Sequence, residues 1–287
     1  MVKTWLITGS GSGLGRDIAE AALAAGDHVV AGARRLEELH ALVEQYSARI
    51  SPVNLDVRDE EAAKAAVQRA VDVYERLDML VNNAGYQYNA PFEQITSEKF
   101  RDVIETCLFG VVYTTRAAVP VMRRQKSGHI FQVSSIGGRV TIPGNSPYHA
   151  AKWAVGGFSD SLAAEVAPFG VKVCTLEPGG MHTNFKQRAA ETMPELLPEL
   201  LPDYEPSVGA IYKMMTAGQG NSASDPKKVA DIVVKLANAE DVPTRLILGK
   251  DAAPYVKQVE TARAEEAAKY GDLTLSTVFL DAPEAEC

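Results

Sequence analysis

The chain has 287 residues, of which 46% are hydrophobic and 23% charged, an ordinary composition for a globular protein with a sizeable apolar core. This balance excludes disordered, collagen-like and low-complexity classes. The 29 Lys and Arg residues against 37 Asp and Glu give a formal net charge of −8. A nucleic-acid partner is therefore not expected, because phosphate neutralisation needs an excess of positive charge.

Cysteine and histidine patterns indicate neither a disulfide framework nor a metal site. The 3 cysteines are widely spaced and the 5 histidines show no ligand spacing, so we predict no bound metal. Nowhere are there 18 consecutive apolar residues, and the apolar run near Met1 is too short for a signal peptide. We expect no membrane partner and a location in the reducing cytoplasm.

Short apolar runs alternate with amphipathic segments along the chain. Most of these runs are continuous and rich in Val, Ile and Leu, typical of strands covered on both faces of a parallel sheet. The alternation predicts an α/β fold, a Rossmann-like doubly wound parallel sheet of about seven strands with helices on both faces. Asp225 followed by Pro226 marks the start of the last of these helices. Predicted strands cover 4–8, 28–33, 50–57, 79–83, 129–134, 172–177 and 244–248, and predicted helices cover 13–25, 35–46, 59–76, 97–125, 148–168 and 226–238.

No linker divides the chain, so residues 1–287 are predicted to form a single domain. The segment 181–224 is irregular, and proline recurs every four residues from Pro194 to Pro206, which excludes one regular helix there. Residues 251–287 are predicted to be a C-terminal extension with an added helix and an acidic tail. The alternative for 181–224 is a solvated connection, but a substrate-binding lid is favoured by four of its residues, Leu196, Leu197, Leu200 and Leu201.

A glycine-rich turn follows the first predicted strand. Thr8-Gly9-Ser-Gly-Ser-Gly13-Leu-Gly15 leads from that strand into a helix, an arrangement that places a pyrophosphate on backbone N–H groups at the helix N-terminus. The spacing is T-G-x3-G-x-G rather than G-x-G-x-x-G. A flexible turn without a ligand is the alternative, but the strand–turn–helix context favours a dinucleotide site.

The position that reads the adenosine ribose lies about twenty residues after Gly13. Here it is Ala33, followed by Arg34 and Arg35. An acidic residue would repel a 2′-phosphate, whereas alanine removes that repulsion and Arg34 offers a planar donor fork. We predict NADP(H) as the preferred cofactor, with NAD(H) as the second candidate. The alternative is that both arginines simply lie in water at a helix start.

A serine, a tyrosine and a lysine stand in catalytic register. Tyr148 and Lys152 are four residues apart on a predicted helix and share one face. Ser135 follows a strand at its carboxyl end, the edge where open α/β sheets bind ligands. A free tyrosine has a pKa of about 10, and the Lys152 ammonium is expected to lower the pKa of Tyr148 so that it serves as general acid or base. The alternative is a helical surface pair and an unrelated loop serine.

This set of motifs resembles the short-chain dehydrogenase/reductase family in its compact, single-domain form. The resemblance covers roughly residues 3–250 and implies a dinucleotide-binding and catalytic domain, an enzyme that moves hydride between NADP(H) and a substrate carbon, with Ser135 donating to the substrate oxygen. The motifs that carry it are Thr8-Gly-x3-Gly-x-Gly15, Asp56-Val57, Asn82-Asn-Ala-Gly85, Ser135, Tyr148-x3-Lys152 and Pro178-Gly179.

The resemblance also implies positions for the cofactor. Asp56 and Val57 would contact the adenine, Asn83 the adenosine ribose, and Met181 and Thr183 the nicotinamide carboxamide, while Lys152 would bind the nicotinamide ribose. The full set of implied cofactor-binding residues is Gly9, Ser12, Gly13, Leu14, Gly15, Arg34, Asp56, Val57, Asn83, Ala84, Gly85, Tyr148, Lys152, Pro178, Gly179, Met181 and Thr183.

The sequence departs from the family at Cys107, where the resemblance leads us to expect an asparagine that bends its helix and holds a proton-relaying water. A thiol is a weak hydrogen-bond partner, so the usual relay is in doubt. Three interpretations stay open for Cys107: a small buried hydrophobe, a reactive thiol, and the mark of a weakened enzyme.

The substrate expected from the resemblance is a hydrophobic ketone, aldehyde or secondary alcohol. Alternatives are a catalytically weakened NADP(H)-sensing regulatory protein and an epimerase or dehydratase of the same fold. The family commonly forms homodimers or homotetramers through the helices at 97–125 and 148–168. Substrate contacts are expected from Tyr86, Gln87, Tyr88, Arg139, Val140, Ile142, Phe185 and the leucines of 193–206.

Overall fold

The computed structural model describes residues 2–181, 200–216 and 224–277. Within these ranges the chain forms a seven-stranded sheet in the order β3-β2-β1-β4-β5-β6-β7, with every neighbouring pair parallel. The predicted Rossmann-like fold is confirmed. The strands are β1 Thr4–Thr8, β2 His28–Ala33, β3 Ile50–Asn54, β4 Met79–Asn82, β5 Gly128–Val133, β6 Val171–Pro178 and β7 Arg245–Leu248.

Helices cover both faces of this sheet. Two of them begin at the expected kind of cap, since Asp59 and Asp225 accept backbone N–H groups of the first turns that follow them. The helices are α1 Gly13–Ala24, α2 His40–Tyr46, α3 Glu60–Tyr74, α4 Ser97–Ile104, α5 Gly110–Gln125, α6 Ser146–Val166, α7 Ala210–Thr216, α8 Pro226–Leu236, α9 Ala252–Lys269 and α10 Gly271–Leu275.

The core is divided by the sheet into two apolar clusters. Trp5 and Ile7 of β1 pack with α1 and α8 on one face, whereas Leu6, between them in sequence, packs with α3 and α5 on the other. Because successive side chains of a strand point to opposite faces, a strand buried on both faces needs an unbroken apolar run. Each fully buried side chain of this size contributes about 1.5–3 kcal/mol of hydrophobic stabilisation.

Several element boundaries differ from the predictions. The third strand ends at Asn54 rather than at residue 57, because the chain then turns towards the Asp59 cap of α3. The predicted helix 35–46 begins with a 3₁₀ turn, Leu36–Leu39, and α6 begins two residues early at Ser146. The predicted helix 97–125 is interrupted by one π-helical turn, Glu105–Phe109, between α4 and α5.

The sheet order places a crevice between β1 and β4. The chain leaves β1 towards β2 on one side and continues from β4 to β5 on the other, so the connections diverge at the carboxyl ends of these two strands. In open α/β sheets ligands bind at this divergence. The turns that follow β1, β4, β5 and β6 therefore border one site.

Part of the predicted lid lies beside this crevice. Val208 and Tyr212 are buried in a small apolar cluster with Leu200. The Tyr212 hydroxyl donates to the backbone carbonyl of Asn89 at 2.5 Å, which ties α7 to the segment that follows β4. Residues 182–199 and 217–223 of the predicted lid, including Phe185, lie outside the described residues, as does the predicted tail beyond residue 277.

Candidate active site

The glycine turn follows β1 as the sequence predicts. Gly9 and Gly13 have φ values of +70° and +58°, a left-handed conformation that favours glycine. At Gly15 a Cβ would collide with the carbonyl oxygen of Gly9 and with the Asn83 side chain. Glycine is therefore favoured at these three positions for different reasons. Gly9 and Gly13 permit the backbone conformation of the turn, and Gly15 permits its close packing.

The turn is fastened to the end of β4 by neutral hydrogen bonds. The Thr8 hydroxyl accepts the backbone N–H groups of Asn83 and Ala84, each at 3.0 Å. The Asn83 side-chain amide donates to the carbonyl oxygens of Thr8 at 3.0 Å and Gly9 at 3.3 Å. The sequence pattern included Thr8 as part of a motif but predicted no role for its side chain. For Asn83 it predicted only a contact with the adenosine ribose. The structure gives both residues the additional task of holding the turn.

The residues present fit a dinucleotide. Leu14 is buried against the core and anchors the start of α1. Among the described residues, the Ser12 side chain makes no capping hydrogen bond to α1, so the first N–H groups of this helix have no cap from Ser12 and suit a phosphate. Gly15 is buried against Gly9 and Asn83, so the start of α1 packs closely on the turn. When bound here, a dinucleotide would be held by Gly9, Ser12, Gly13 and Leu14 through the turn backbone.

The segments expected to contact the adenosine carry both basic and acidic groups. Ala33 is buried at the end of β2, and Arg34 is exposed. Arg58 forms a bidentate pair with Asp56, with an Nη2–Oδ2 distance of 2.6 Å. This guanidinium lowers the pKa of the Asp56 carboxyl. Val57 is buried beneath this pair, where a Cβ at Gly110 would collide with its side chain.

The serine, the tyrosine and the lysine converge beyond the end of β5. Ser135 is hydrogen-bonded to Tyr148, and its Oγ accepts the Gly137 N–H at 3.0 Å. The Lys152 Nζ lies 5.6 Å from the centre of the Tyr148 ring and donates to the Val133 carbonyl at 2.7 Å. All three functional groups thus lie at the carboxyl edge of the sheet, and both Tyr148 and Lys152 are buried.

The predicted effect of Lys152 on Tyr148 is wrong for the chain as described. Burial raises the pKa of the Tyr148 phenol above its ordinary value; Cys107 adds to the rise and the Ser135 hydrogen bond opposes it. Burial also lowers the pKa of Lys152. Removing both groups from water disfavours phenolate and ammonium alike. Tyr148 is therefore a protonated phenol at neutral pH.

Cys107 borders Lys152 from the π-helical turn. Its thiol is fully buried and donates to the Tyr86 carbonyl at 3.2 Å. A Cβ at Gly85 would lie 3.4 Å from the Cys107 Sγ and 3.7 Å from the Lys152 Nζ. Burial raises the pKa of this thiol, which agrees with the interpretation of a small buried hydrophobe. The helix is locally irregular at this position, because Cys107 lies within the π-helical turn Glu105–Phe109.

His149, next to Tyr148 in sequence, is occupied by backbone contacts. Its Nε2 accepts the Ile142 N–H at 3.1 Å, which leaves Nδ1 as the donor to the Gly137 carbonyl at 2.8 Å. Burial lowers the pKa of the ring. His149 therefore braces the Ser135 turn as a neutral imidazole, the structural role that its position on the helix favours.

The segment that follows β6 lies at the carboxyl edge of the sheet and contains the residues expected to contact the nicotinamide. The Gly179 N–H donates to the Leu248 carbonyl at 2.8 Å, so the turn after Pro178 is joined to β7. Met181 forms an isolated parallel bridge with Ser224 and packs against the core. These contacts place Pro178, Gly179 and Met181 beside the end of β6. Thr183 and His182 lie outside the described residues.

Four of the expected substrate residues in the described part of the chain lie near Tyr148, in a buried position or beside the start of α6. Tyr86 and Tyr88 pack with Leu108 beside Tyr148, as a pocket near the phenol requires. Val140 is buried, and the side-chain Oε1 of Gln87 accepts a hydrogen bond from the Asn145 side-chain amide at 2.9 Å.

Arg139, one of the expected substrate contacts, is paired with two acidic residues of the fold. Its Nε lies 2.7 Å from Oε2 of the buried Glu177, and its Nη1 lies 2.5 Å from Oε1 of Glu260 in α9. Arg245 binds the other oxygen of Glu177 at 3.0 Å. These two acids satisfy the Arg139 guanidinium, so it serves as a structural anchor. Sequence reasoning missed this network, because the partners are far apart in the chain.

Among residues 2–181, 200–216 and 224–277, no group of three His, Cys, Asp or Glu side chains is arranged to hold a metal ion. In the same described part of the chain, no helix has the length and apolar character to span a bilayer.

The fold and the site together define a nicotinamide-dependent oxidoreductase of the Rossmann type. The family model described as short chain dehydrogenase matches residues 3–194. The chain belongs to the short-chain dehydrogenase family, whose members use NAD(H) or NADP(H) on small-molecule substrates.

Curated relatives and solved structures agree with this assignment. The chain is 44% identical to oxidoreductase BOA17 of Botryotinia fuckeliana over 96% of this chain and all of the relative. It is 33% identical to the uncharacterized oxidoreductase YusZ of Bacillus subtilis, over 86% of this chain and 89% of the relative. A short-chain dehydrogenase from Streptomyces avermitilis matches with a TM-score of 0.86 and 36% identity, over 97% of this chain and 100% of that structure. ElxO with NADP bound matches with a TM-score of 0.69 and 27% identity, over 86% and 96% of the respective chains.

Proposed function

We propose that the protein transfers a hydride between NADP(H) and a hydrophobic ketone, aldehyde or secondary alcohol, with Tyr148 as the general acid or base. The observation that carries this proposal is the hydrogen bond between Ser135 and Tyr148 in a buried site beside Lys152. Two hydroxyl groups that converge in a water-poor site are suited to binding and protonating one carbonyl oxygen.

Each residue of the trio has a separate task. When bound, the cofactor supplies or accepts the hydride. Ser135, fixed by the Gly137 N–H, donates to the substrate oxygen and holds it near the phenol. Tyr148, which burial keeps protonated, gives its proton to that oxygen as negative charge develops there. In its ammonium form, Lys152 would stabilise the phenolate that remains.

The residues at the end of β2 support a preference for NADP(H) over NAD(H). The buried Ala33 brings no negative charge to the ribose-reading position, and Arg34 and Arg35 are both exposed there. The neighbouring structure ElxO has NADP bound. Calorimetry with NADPH and NADH tests the preference. Equal affinities, or an unchanged preference in Arg34→Ala, would contradict it.

A hydrophobic substrate is supported by the surroundings of Tyr148. Tyr86, Tyr88, Ile104 and Leu108 pack against the small apolar cluster that includes Tyr148. This lining offers aromatic and aliphatic contact with few charged groups. NADPH oxidation measured against a panel of ketones, aldehydes and quinones would identify the substrate class.

A homodimer or homotetramer is supported by aromatic side chains on the expected contact helices. Phe109, at the end of the π-helical turn, and Trp153, on α6, are 39% and 42% exposed. Exposed aromatic groups of this kind are enriched at protein interfaces. Light scattering of the purified protein would give the number of subunits, and a monomer would contradict this part of the proposal.

The role of Tyr148 is tested by Tyr148→Phe, which removes only the hydroxyl. We expect turnover to fall by on the order of 10²–10⁴-fold, the usual contribution of a positioned acid or base, while calorimetry shows unchanged NADPH binding. Tyr255→Phe, on the exposed side of α9, is the matched control. Retained turnover in Tyr148→Phe would refute the assignment. A wild-type protein that binds NADPH but reduces nothing in the panel would instead support the sensor interpretation.

A further inference from the structure

An acidic side chain lies directly against the glycine turn. Glu38 belongs to the 3₁₀ turn Leu36–Leu39 that follows β2. A Cβ placed on Gly11 would collide with the Glu38 carboxylate and lie 3.1 Å from its carboxyl carbon. The absence of a side chain at Gly11 is therefore what allows this carboxylate to approach the turn.

This contact falls where a dinucleotide fold reads the 2′ position of the adenosine ribose. The Ser10 N–H donates to the Gly32 carbonyl at 2.9 Å, which places the glycine turn alongside the end of β2. The end of this strand is the ribose-reading position. Gly11, Glu38 and the two exposed arginines after Ala33 thus meet at one place.

Glu38 is held there by two arginines. The Arg35 Nε donates to Glu38 Oε1 at 2.9 Å, and the Arg35 Nη2 makes a second contact to the same oxygen. From α1, the Arg16 Nη1 donates to the Glu38 backbone carbonyl at 3.1 Å. The Arg35 side chain is 62% exposed and that of Glu38 25% exposed, so the ion pair is open to exchange with an anion from solution.

We propose that Glu38 is a specificity-determining residue, whose carboxylate competes with the 2′-phosphate of NADP(H) for Arg35. Arg35 exchanges one anion for the other when the phosphorylated cofactor binds, because a guanidinium fork suits carboxylate and phosphate alike. NADH lacks the 2′-phosphate and leaves the pair intact. Glu38 therefore limits the discrimination between the two cofactors. This inference rests on the proposed preference for NADP(H).

Charge-neutralising variants with calorimetric binding provide the test. We expect Glu38→Gln to increase the affinity for NADPH and for adenosine 2′,5′-bisphosphate by roughly three- to tenfold, the range for losing one exposed competing charge. The affinity for NADH should change by less than about twofold. Glu37→Gln removes the same charge from the same 3₁₀ turn at an exposed position and is the matched control. It should change the affinity for either cofactor by less than about twofold.

An Arg35→Ala background sharpens the experiment. If Arg35 is the exchanged group, Glu38→Gln loses its effect on NADPH in that background. Glu38→Ala should reproduce Glu38→Gln, and thermal unfolding of each variant confirms that it folds.

Three results would overturn the proposal. Equal tightening of NADPH and NADH would mean that the carboxylate opposes the pyrophosphate. Weaker NADH binding in Glu38→Gln would mean that it accepts a ribose hydroxyl. No tightening of the bisphosphate would mean that it does not compete at all. Equal wild-type affinities for NADPH and NADH would contradict the proposed cofactor preference instead, and the bisphosphate measurement would still decide the role of Glu38.

Discussion

The two turns that form the site are held by opposite kinds of interaction. The glycine turn is fixed by neutral groups, the Thr8 hydroxyl and the Asn83 amide. The serine turn ends at Arg139, which is fixed by charge to the buried Glu177. A turn that receives phosphate must keep its N–H groups available. The serine turn only positions the Ser135 hydroxyl, so it tolerates charged groups such as Arg139 and Glu177, provided that they face away from the reacting atoms.

The charged network also connects the serine turn to the C-terminal region. The Arg263 Nη1 donates to the Arg139 carbonyl at 2.6 Å, and its guanidinium lies 4.7 Å from the centre of the Trp153 ring. With Glu260, these contacts place α9 against the turn that carries Ser135. The extension that the sequence left without a purpose is thus a second support for that turn.

Removing the centre of the charged network should have the largest effect on stability. We expect Glu177→Gln to lower the free energy of unfolding by about 3–5 kcal/mol, because Arg139 and Arg245 lose a buried counter-charge. Glu260→Gln, at the exposed end of the same network, should cost about 0–1 kcal/mol. Urea denaturation measures both. Similar losses of unfolding free energy in the two variants would show that the burial of Glu177 does not make its ion pairs more important than that of Glu260.

Weakening the glycine turn should have a smaller effect. Thr8→Val removes the acceptor of the Asn83 and Ala84 N–H groups while keeping the shape of the side chain. We expect a loss of about 1–3 kcal/mol in the free energy of unfolding, together with weaker cofactor binding by calorimetry. Thr4→Val, at the opposite end of β1, serves as the control for the substitution itself. Unchanged cofactor affinity in Thr8→Val would mean that the turn keeps its form without the hydroxyl.

The smallest predicted effect lies at His129, far from both turns at the start of β5. Burial lowers its pKa to about 4, and the nearby Lys172 and Lys3 contribute to the shift. The unfolded chain therefore binds the proton first, and stability is lost as the pH falls from about 6.5 towards 4. Between pH 7.5 and 5.5 we expect a loss of about 1 kcal/mol from this group. As the pH is lowered from 7.5 to 5.5, the urea midpoint should fall less in His129→Gln than in the wild-type protein. An equal pH dependence in the two proteins would contradict the lowered pKa of His129.

Much of the fold could be predicted from the sequence, because periodicity and glycine positions are local signals. The buried strands, the glycine turn and the helix that carries Tyr148 and Lys152 follow from such signals. The end of the third strand did not, since the Asp59 cap competes with strand extension there.

Distant partners and burial account for what the sequence did not reveal. Arg139 binds acids 38 and 121 residues away, and no local pattern links them. The pKa of Tyr148 was predicted to fall because a neighbouring charge is visible in sequence, whereas the desolvation that dominates is a property of the packed molecule. The approach of Glu38 to Gly11 is likewise a tertiary contact.

The π-helical turn at Glu105–Phe109 has a consequence for how this protein can change. One surplus residue in a helix rotates everything beyond it by about 100°, so deleting a residue there would re-aim the side of α4 that packs near Tyr148. We therefore expect insertions and deletions at this point of the chain to disturb the packing near Tyr148, whereas a substitution of Cys107 changes only the group next to Lys152.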